Sequence, residues 1–368
     1  MPYHVTEVTD RKTFRDFINL PYHIYRDDAY WVTPITAEVL RQLNSKKNPY
    51  FKDNSLKLFN CYENDRICAR TILTINRNYI KKFNAHCASF GYYESLNDFQ
   101  ATAVLFDAVE TCCRQSGVDF LDGPFNPNYY SELGIKVTHF GNTPSYFQTY
   151  NPPYYSELLT RAGFTQTKRI FTLSNHNISE YIRKNYPQEI KNTPDGFRTR
   201  PFRYDHKTRD LNFLREIMND AFSQNWHFLP LSEEEYKYAA KYLSLVTPSN
   251  FIQFVEFDGR PVGAVHLVLD INPIIKLFHG KAGIIEYLRL KTGRNKISKI
   301  IVFAVGIKKS FQKTPALRQL CNTTAQIVKD FQVMETTWTS DDNLAALKTA
   351  EKFGLKRDCE FVIMEKRF

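Results

Sequence analysis

Ile300-Ile301-Val302-Phe303-Ala304-Val305, with the loop Gly306-Ile307-Lys308-Lys309-Ser310-Phe311-Gln312-Lys313-Thr314-Pro315 behind it, decides how the chain is read. The apolar, largely β-branched run predicts a buried strand. From Ala316 onward, Leu317, Leu320, Cys321, Thr324, Ile327 and Val328 recur on one helical face. Met334 to Trp338 predicts another strand, and Ser340-Asp341-Asp342 leads into a helix beginning near Asn343. Phe353-Gly354 stops that helix, glycine being the usual residue just past a C-terminus, and Cys359 to Glu365 predicts the strand that closes the second half.

This order of strand, loop, helix, strand, Asn-opened helix, Gly and strand resembles the acyl-CoA half of the GNAT (N-acetyltransferase) fold. The phrase from Glu335 to Asn343 resembles the end of a family of tandem GNAT-like acyltransferases, a group that includes bacterial GNAT-type ceramide synthases. The resemblance implies an α/β (α+β) fold of two GNAT-like units, each a mixed central sheet flanked by helices. It also implies acyl-CoA or coenzyme A as a substrate, because the free first amides and the dipole of a helix favour a pyrophosphate. Val305 and Gly306 at the strand end, Lys309, Gln312 and Lys313 in the loop, and Asn343 are the implied donor-binding residues. Two fittings of the family are missing. The loop has no glycine where a Gln/Arg-x-x-Gly-x-Gly/Ala pattern is usual, and Pro315 removes an N–H donor. Ala350 stands where many members carry a tyrosine that protonates the leaving thiolate.

The first half repeats the plan. A strand over His4 to Val8 precedes a helix capped by Asp10, and strands in 56–76 flank the turn Glu63-Asn64-Asp65-Arg66. Cys87 to Tyr93 predicts a strand, Ser95 or Asn97 caps the next helix, and Gly117 stops it. A further helix after Asn151-Pro152-Pro153 ends at Gly163, and a strand lies near Arg169 to Leu173. The units are therefore expected at 1–175 and 200–368, joined by a polar linker over 176–199 that holds Pro187 and Pro194. In the second half, Asp210 to Phe222 and Ser232 to Leu243 predict helices, the latter with a Ser232-x-x-Glu235 capping box. Strands over Phe251 to Phe257 and Val262 to Leu269 flank the turn Asp258-Gly259. The basic segment 270–299 is expected at a surface. Family-like phrases recur at Leu20 to Pro34, Phe90 to Glu94, Gly123 to Asn126 and Asn225 to Pro230.

Acyl transfer to an amine needs a proton acceptor and a donor for the leaving thiolate, and no metal. His266 and Asp270 in the second half, and Glu94 directly after a strand in the first, are candidate bases; Tyr155, Tyr154, Tyr129 and Tyr130 are candidate acids. Tyr25, Trp31, Asn126, Trp226, Asn272 and Trp338 are candidate substrate-binding residues, the aromatic ones suited to an apolar channel. An amine acceptor is implied, with a long-chain amine such as a sphingoid base among the choices. Two other readings stay open: a Fem-like aminoacyl transferase drawing on tRNA's charge, and a catalytically degenerate GNAT pair that binds lipid or CoA.

The 368 residues, 43% hydrophobic and 15% aromatic, suffice for packed cores and exclude global disorder. A net charge of +10 suits anionic partners: coenzyme A, a lipid surface or nucleic acid. The seven cysteines lack metal-ligand spacing, so zinc and a disulfide framework are both poorly supported. With no apolar leader or spanning run, the expectation is a cytoplasmic protein, at most peripheral at the inner membrane surface.

Overall fold

A computed structural model describes residues 3–128, 130–186 and 195–368; Tyr129, Pro187 and Pro194 lie outside the described residues. The chain divides into two compact units: residues 1–170, 275–282 and 359–368, and residues 171–274 with 283–358.

The first half runs β1 (Tyr3–Glu7), α1 (Arg11–Ile24), α2 (Thr36–Gln42), β2 (Asn54–Glu63), β3 (Arg66–Asn76), α3 (Arg77–Phe83), β4 (Cys87–Ser95), α4 (Phe99–Gln115) and β5 (Phe120–Gly123). Short strands β6 (Phe125–Asn126), β7 (Glu132–Leu133) and β8 (Ile135–Lys136) follow, then α5 (Tyr155–Arg161) and β9 (Thr165–Asn175). Strands β1 to β4 pair antiparallel in sequence order, and β4 pairs parallel to β5. Local chemistry sets these boundaries. Asp10 accepts from the amides of Lys12 and Thr13 in a reciprocal capping box. Asn64 takes a left-handed φ of 53° in the β2–β3 turn. The cap of α4 is Asp98, not the expected Ser95 or Asn97, since the Asp98 carboxylate accepts from Gln100 and Ala101. The apolar stripe of α4 (Ala101, Leu105, Phe106, Val109, Cys113) packs into a core with Phe90, Tyr93, Tyr155 and Phe164.

The pairing of β4 with β5 stops after Ser89 opposite Asp122. Beyond it β6 crosses so close that a Cβ on Gly91 would stand 1.8 Å from the Phe125 carbonyl oxygen, so this position admits only glycine. Tyr92 then takes a φ of 46°, with its N–H donating to Asn126 Oδ1 at 2.6 Å. The register with β3 shifts between Arg70 and Ile72. This irregularity ends β4 in a splayed segment that carries Tyr93, Glu94 and Ser95.

The remaining elements are α6 (Ile178–Asn185), β10 (Phe197–Pro201), α7 (Lys207–Ala221), α8 (Glu233–Ala239), α9 (Leu243–Val246), β11 (Ile252–Phe257), β12 (Arg260–Leu269), α10 (Asn272–Ile275) and α11 (Ile284–Gly293). They are followed by β13 (Lys299–Ile307), α12 (Ala316–Val328), β14 (Val333–Thr336), α13 (Leu344–Glu351) and β15 (Lys356–Arg367). In the second unit β10 to β13 pair antiparallel in order, and β13 pairs parallel to β14 through Lys299–Val302. Asp258 and Gly259, with φ of 46° and 78°, make the β11–β12 turn in the conformation that two-residue hairpins favour. Its core joins Leu211, Leu214 and Ile217 of α7 to Phe202, Ile252, Phe254 and Ala264. As in the first unit, one strand of the parallel pair runs on past the last paired residue, here from Val302 on to Ile307, with the Phe303 carbonyl still accepting from Thr337 Oγ1 at 3.1 Å.

Both units are mixed sheets with flanking helices, the expected α/β class. Three expectations need correction. The strand expected to close the second half, within β15, pairs antiparallel to β5 of the first unit, at Met364–Gly123 to Arg367–Phe120. The pairing brings Met364 into the first unit's apolar core. The end of β9 pairs with β14 in the second unit, at Ser174–Glu335 and Asn175–Met334. The segment expected as a linker contains α6, whose Ile178 and Ile182 are buried. Among the described residues no helix is long and apolar enough to cross a membrane.

Candidate active site

Glu94, Tyr155 and Tyr25, singled out separately in the sequence, meet in the first unit. Tyr155 Oη donates to Glu94 Oε2 at 2.6 Å, and Tyr25 Oη donates to the same oxygen at 2.8 Å. The Ser95 amide donates to Tyr155 Oη at 2.9 Å, and Tyr154 Oη donates to the Ser95 carbonyl at 3.0 Å, so the end of β4 is held from both sides. Tyr25 and Tyr155 are 2% and 1% exposed, whereas the Glu94 side chain keeps 15% exposure. Trp31 stacks on Tyr25 at 4.9 Å, and Tyr22 meets Trp31 edge-on at 5.6 Å. Asn126 is spent on the Tyr92 amide.

Sequence reading missed Arg70. This buried arginine on β3 lies 3.7 Å from Glu94 Oε1, donates from Nη1 to the Phe17 carbonyl and covers the Phe17 ring at 4.5 Å. Its Nε is buried without a hydrogen-bond partner among the described residues. A charged residue in the middle of an apolar strand (Ile67-Cys68-Ala69-Arg70-Thr71-Ile72) was the available signal.

The electrostatics of the cluster follow from burial. Desolvation raises the Glu94 pKa, against the opposing effects of Arg70 and the two phenol hydrogen bonds. Burial pushes both phenols well above the usual tyrosine range, with the Glu94 charge adding to it. They are donors, not phenolates. Glu94 is thus a partly exposed carboxylate whose proton affinity is lifted and whose orientation is fixed. Those are the properties of a positioned general base.

The candidates of the second unit are arranged differently. His266 is buried on β12, its Nε2 3.2 Å from Thr247 Oγ1 and its ring 5.0 Å from Phe303. Desolvation lowers its pKa to about 3, leaving a neutral imidazole with little affinity for a proton. Asp270 accepts from the Asn272 amide and lies 3.8 Å from Lys299, which also pairs with Glu335 at 3.1 Å. Trp226 and Trp338 do come together, edge-on at 6.4 Å.

The expected donor-binding residues follow β13. Val305 and Gly306 lie on its splayed end, opposite Val265 and Ala264 of β12. In the loop, the Lys309 amide donates to Asp220 Oδ2 at 2.6 Å, the Gln312 amide turns back to Lys309, and the Ala316 amide reaches Thr314 Oγ1 at 3.3 Å. Lys309 and Lys313 are exposed, and α12 begins with no side-chain cap after Pro315. The residues fit an anion in part: three lysines and an uncapped helix start favour it, whereas Asp220 and the missing proline N–H oppose it. Asn343 caps α13 through the Ala346 amide.

The fold is that of tandem GNAT proteins. No protein-family model matches the sequence. The chain is similar to a bacterial ceramide synthase from Caulobacter vibrioides, at 27% identity over 92% of this chain and 90% of that protein. It is also similar to protein YghO of Escherichia coli, at 21% identity over 97% of this chain and 94% of that one. Among solved structures, it resembles a tandem GNAT protein from the clavulanic acid biosynthesis pathway, with a TM-score of 0.58 and 10% identity over 99% and 98% of the two chains. A GCN5-related N-acetyltransferase from Sphaerobacter thermophilus gives a TM-score of 0.52 and 11% identity over 100% and 96%.

Proposed function

We propose that the protein is an N-acyltransferase that moves an acyl group from acyl-CoA, or another acyl thioester, to the amine of a long-chain acceptor such as a sphingoid base. The observation that carries this reading is the convergence of Tyr25 and Tyr155 on one oxygen of Glu94. The name of the Caulobacter relative supports a lipid acceptor, and the Trp31–Tyr25–Tyr22 stack offers apolar area beside the carboxylate.

An amine arrives as an ammonium and loses one proton to solvent. Its nitrogen lone pair attacks the thioester carbonyl carbon, and Glu94 takes the second N–H proton as the C–N bond forms. As the C–S bond breaks, that proton passes to the departing sulfur, so amide and free thiol leave and Glu94 is again a carboxylate. Tyr25 and Tyr155 hold the carboxylate in place throughout, and Arg70 limits how far burial lifts its pKa. Taken by itself, the second unit offers Lys308, Lys309 and Lys313 to an anion such as a CoA phosphate, loosely, since glycine-enabled amide contacts are missing. An acceptor drawn from a bilayer suits a cytoplasmic enzyme that touches the inner membrane surface.

A second reading, a lipid-binding module without turnover, is favoured by two carboxylates that oppose a donor's phosphates at the helix starts. Asp98 fills the start of α4, and Asp220 occupies a loop amide before α12. One experiment separates the two readings. The protein is incubated with acyl-CoA and sphinganine, free thiol is followed, and the amide is identified by mass spectrometry. Thiol release that requires both substrates, with stoichiometric amide, supports transfer. Ligand binding with no amide from any acyl-CoA and amine pair overturns it.

A further inference from the structure

Helix α11 is packed with its apolar side outward. Leu290 is its buried residue, and Gly293 lies on the same side, where a Cβ would meet Ile274 at 3.0 Å. At 100° per residue, Ile284, Ile285 and Leu288 fall opposite Leu290. They are 80%, 62% and 51% exposed, and Tyr287 beside them is 48% exposed. Single exposed apolar residues are ordinary, but four large ones within one and a half turns of a helix mark an interaction face. The charge around them has one sign: residues 281–296 hold Lys281, Arg289, Lys291, Arg294 and Lys296 against Glu286 alone.

We propose that α11 is a membrane-docking helix, laid on an anionic bilayer with Ile284, Ile285 and Leu288 in the headgroup–acyl boundary and its cations against lipid phosphates. The choice of a bilayer over a second copy of the chain rests on charge. A symmetric self-contact would bring two such cationic rims together, whereas an anionic surface is complementary to them. Helix, exposed apolar face and cations on one short amphipathic segment is the pattern of interfacial binding. The inference extends the proposed function, because such a face would hold the enzyme where a lipid amine resides, yet it does not depend on turnover.

The test is co-sedimentation of the full chain with vesicles of phosphatidylcholine alone or with phosphatidylglycerol added, at low and high salt. Binding is expected only to the anionic vesicles and is expected to weaken with salt. Ile284→Ser with Ile285→Ser and Leu288→Ser should lower it at least tenfold. Lys291→Glu with Lys296→Glu should lower it by about fivefold for each cation lost. All five sites are exposed, so circular dichroism should be unchanged. The proposal is overturned if anionic vesicles are not bound, if both variants bind like the parent, or if the serine variant instead dissolves a dimer on size exclusion. In the serine variant, vesicle binding lost with transfer to a soluble short-chain amine retained supports this proposal and leaves the transferase reading standing; a parent protein that binds anionic vesicles but transfers no acyl group sinks only the transferase reading.

Discussion

Glu94 on β4 of the first unit and His266 on β12 of the second are both titratable residues on central strands, and burial moves their proton affinities in opposite directions. Desolvation disfavours the charged form of each. For the carboxylate that raises the pKa and makes a stronger base, and Tyr25, Tyr155 and Arg70 supply the partners that keep it ordered. For the imidazole it takes the pKa down to about 3, and a hydroxyl, that of Thr247, faces its Nε2. A buried strand residue is therefore not a candidate base by virtue of burial; the sign of its charge and the donors around it decide. The helix starts differ in the converse way. Asp98 brings a carboxylate to α4, whereas α12 has no capping side chain and three lysines nearby. Of the two helix starts, that of α12 is the better place for an anion.

The largest effect should follow from Glu94→Gln, which keeps the shape and removes the proton acceptor. The expected loss in kcat is about 100-fold or more, the usual weight of a positioned base, with acyl-CoA binding by calorimetry retained. A smaller effect is expected from Lys309→Glu with Lys313→Glu. KM for acyl-CoA should rise about tenfold at low salt, as exposed charges at short range imply, and the difference should shrink as salt is added. Smaller again is the chain-length dependence of the acceptor. Each added methylene should raise kcat/KM about fourfold while apolar surface remains for it to cover, from roughly 0.8 kcal/mol per group, and Trp31→Ala should shorten the range over which this holds. Equal turnover of short and long amines would remove the lipid acceptor.

His266→Gln should change kcat/KM less than about twofold, since removing a neutral, hydrogen-bonded side chain takes away no proton acceptor. Its effect should appear in stability. The unfolded imidazole protonates near 6.5 and the folded one only near 3. Between those values the unfolded state binds the extra proton, so the parent loses stability as pH falls, at up to about 1.4 kcal/mol per pH unit. Denaturation midpoints measured from pH 7 to 4 should show this slope in the parent and a shallower one in the variant.

Much of the fold was legible because its signals are local. The Asp10 cap, the Ser232 capping box, the Asp258-Gly259 turn, Asn343 as a cap and Gly354 as a stop all act within a few residues, and each stands where the sequence put it. The partner of β15 was not legible, because a strand's own pattern says which face is buried and not which edge it joins. The cluster was legible in its members and not in its geometry. Glu94, Tyr25 and Tyr155 lie far apart in sequence, and what unites them is the break at Gly91 and Tyr92, where a crossing strand forces β4 out of register. Arg70 escaped notice because its meaning depends on the carboxylate across the β3–β4 pair.

The pH dependence of kcat/KM tests the central claim most directly. If Glu94 is the base, activity rises with pH on an acid limb placed above the ordinary glutamate range, because its proton must be lost before catalysis. The phenol hydrogen bonds oppose that shift, so Tyr25→Phe and Tyr155→Phe should each move the limb to higher pH, while His266→Gln leaves it in place. A limb indifferent to both tyrosines and displaced by His266→Gln would contradict the assignment and return the proton chemistry to the second unit.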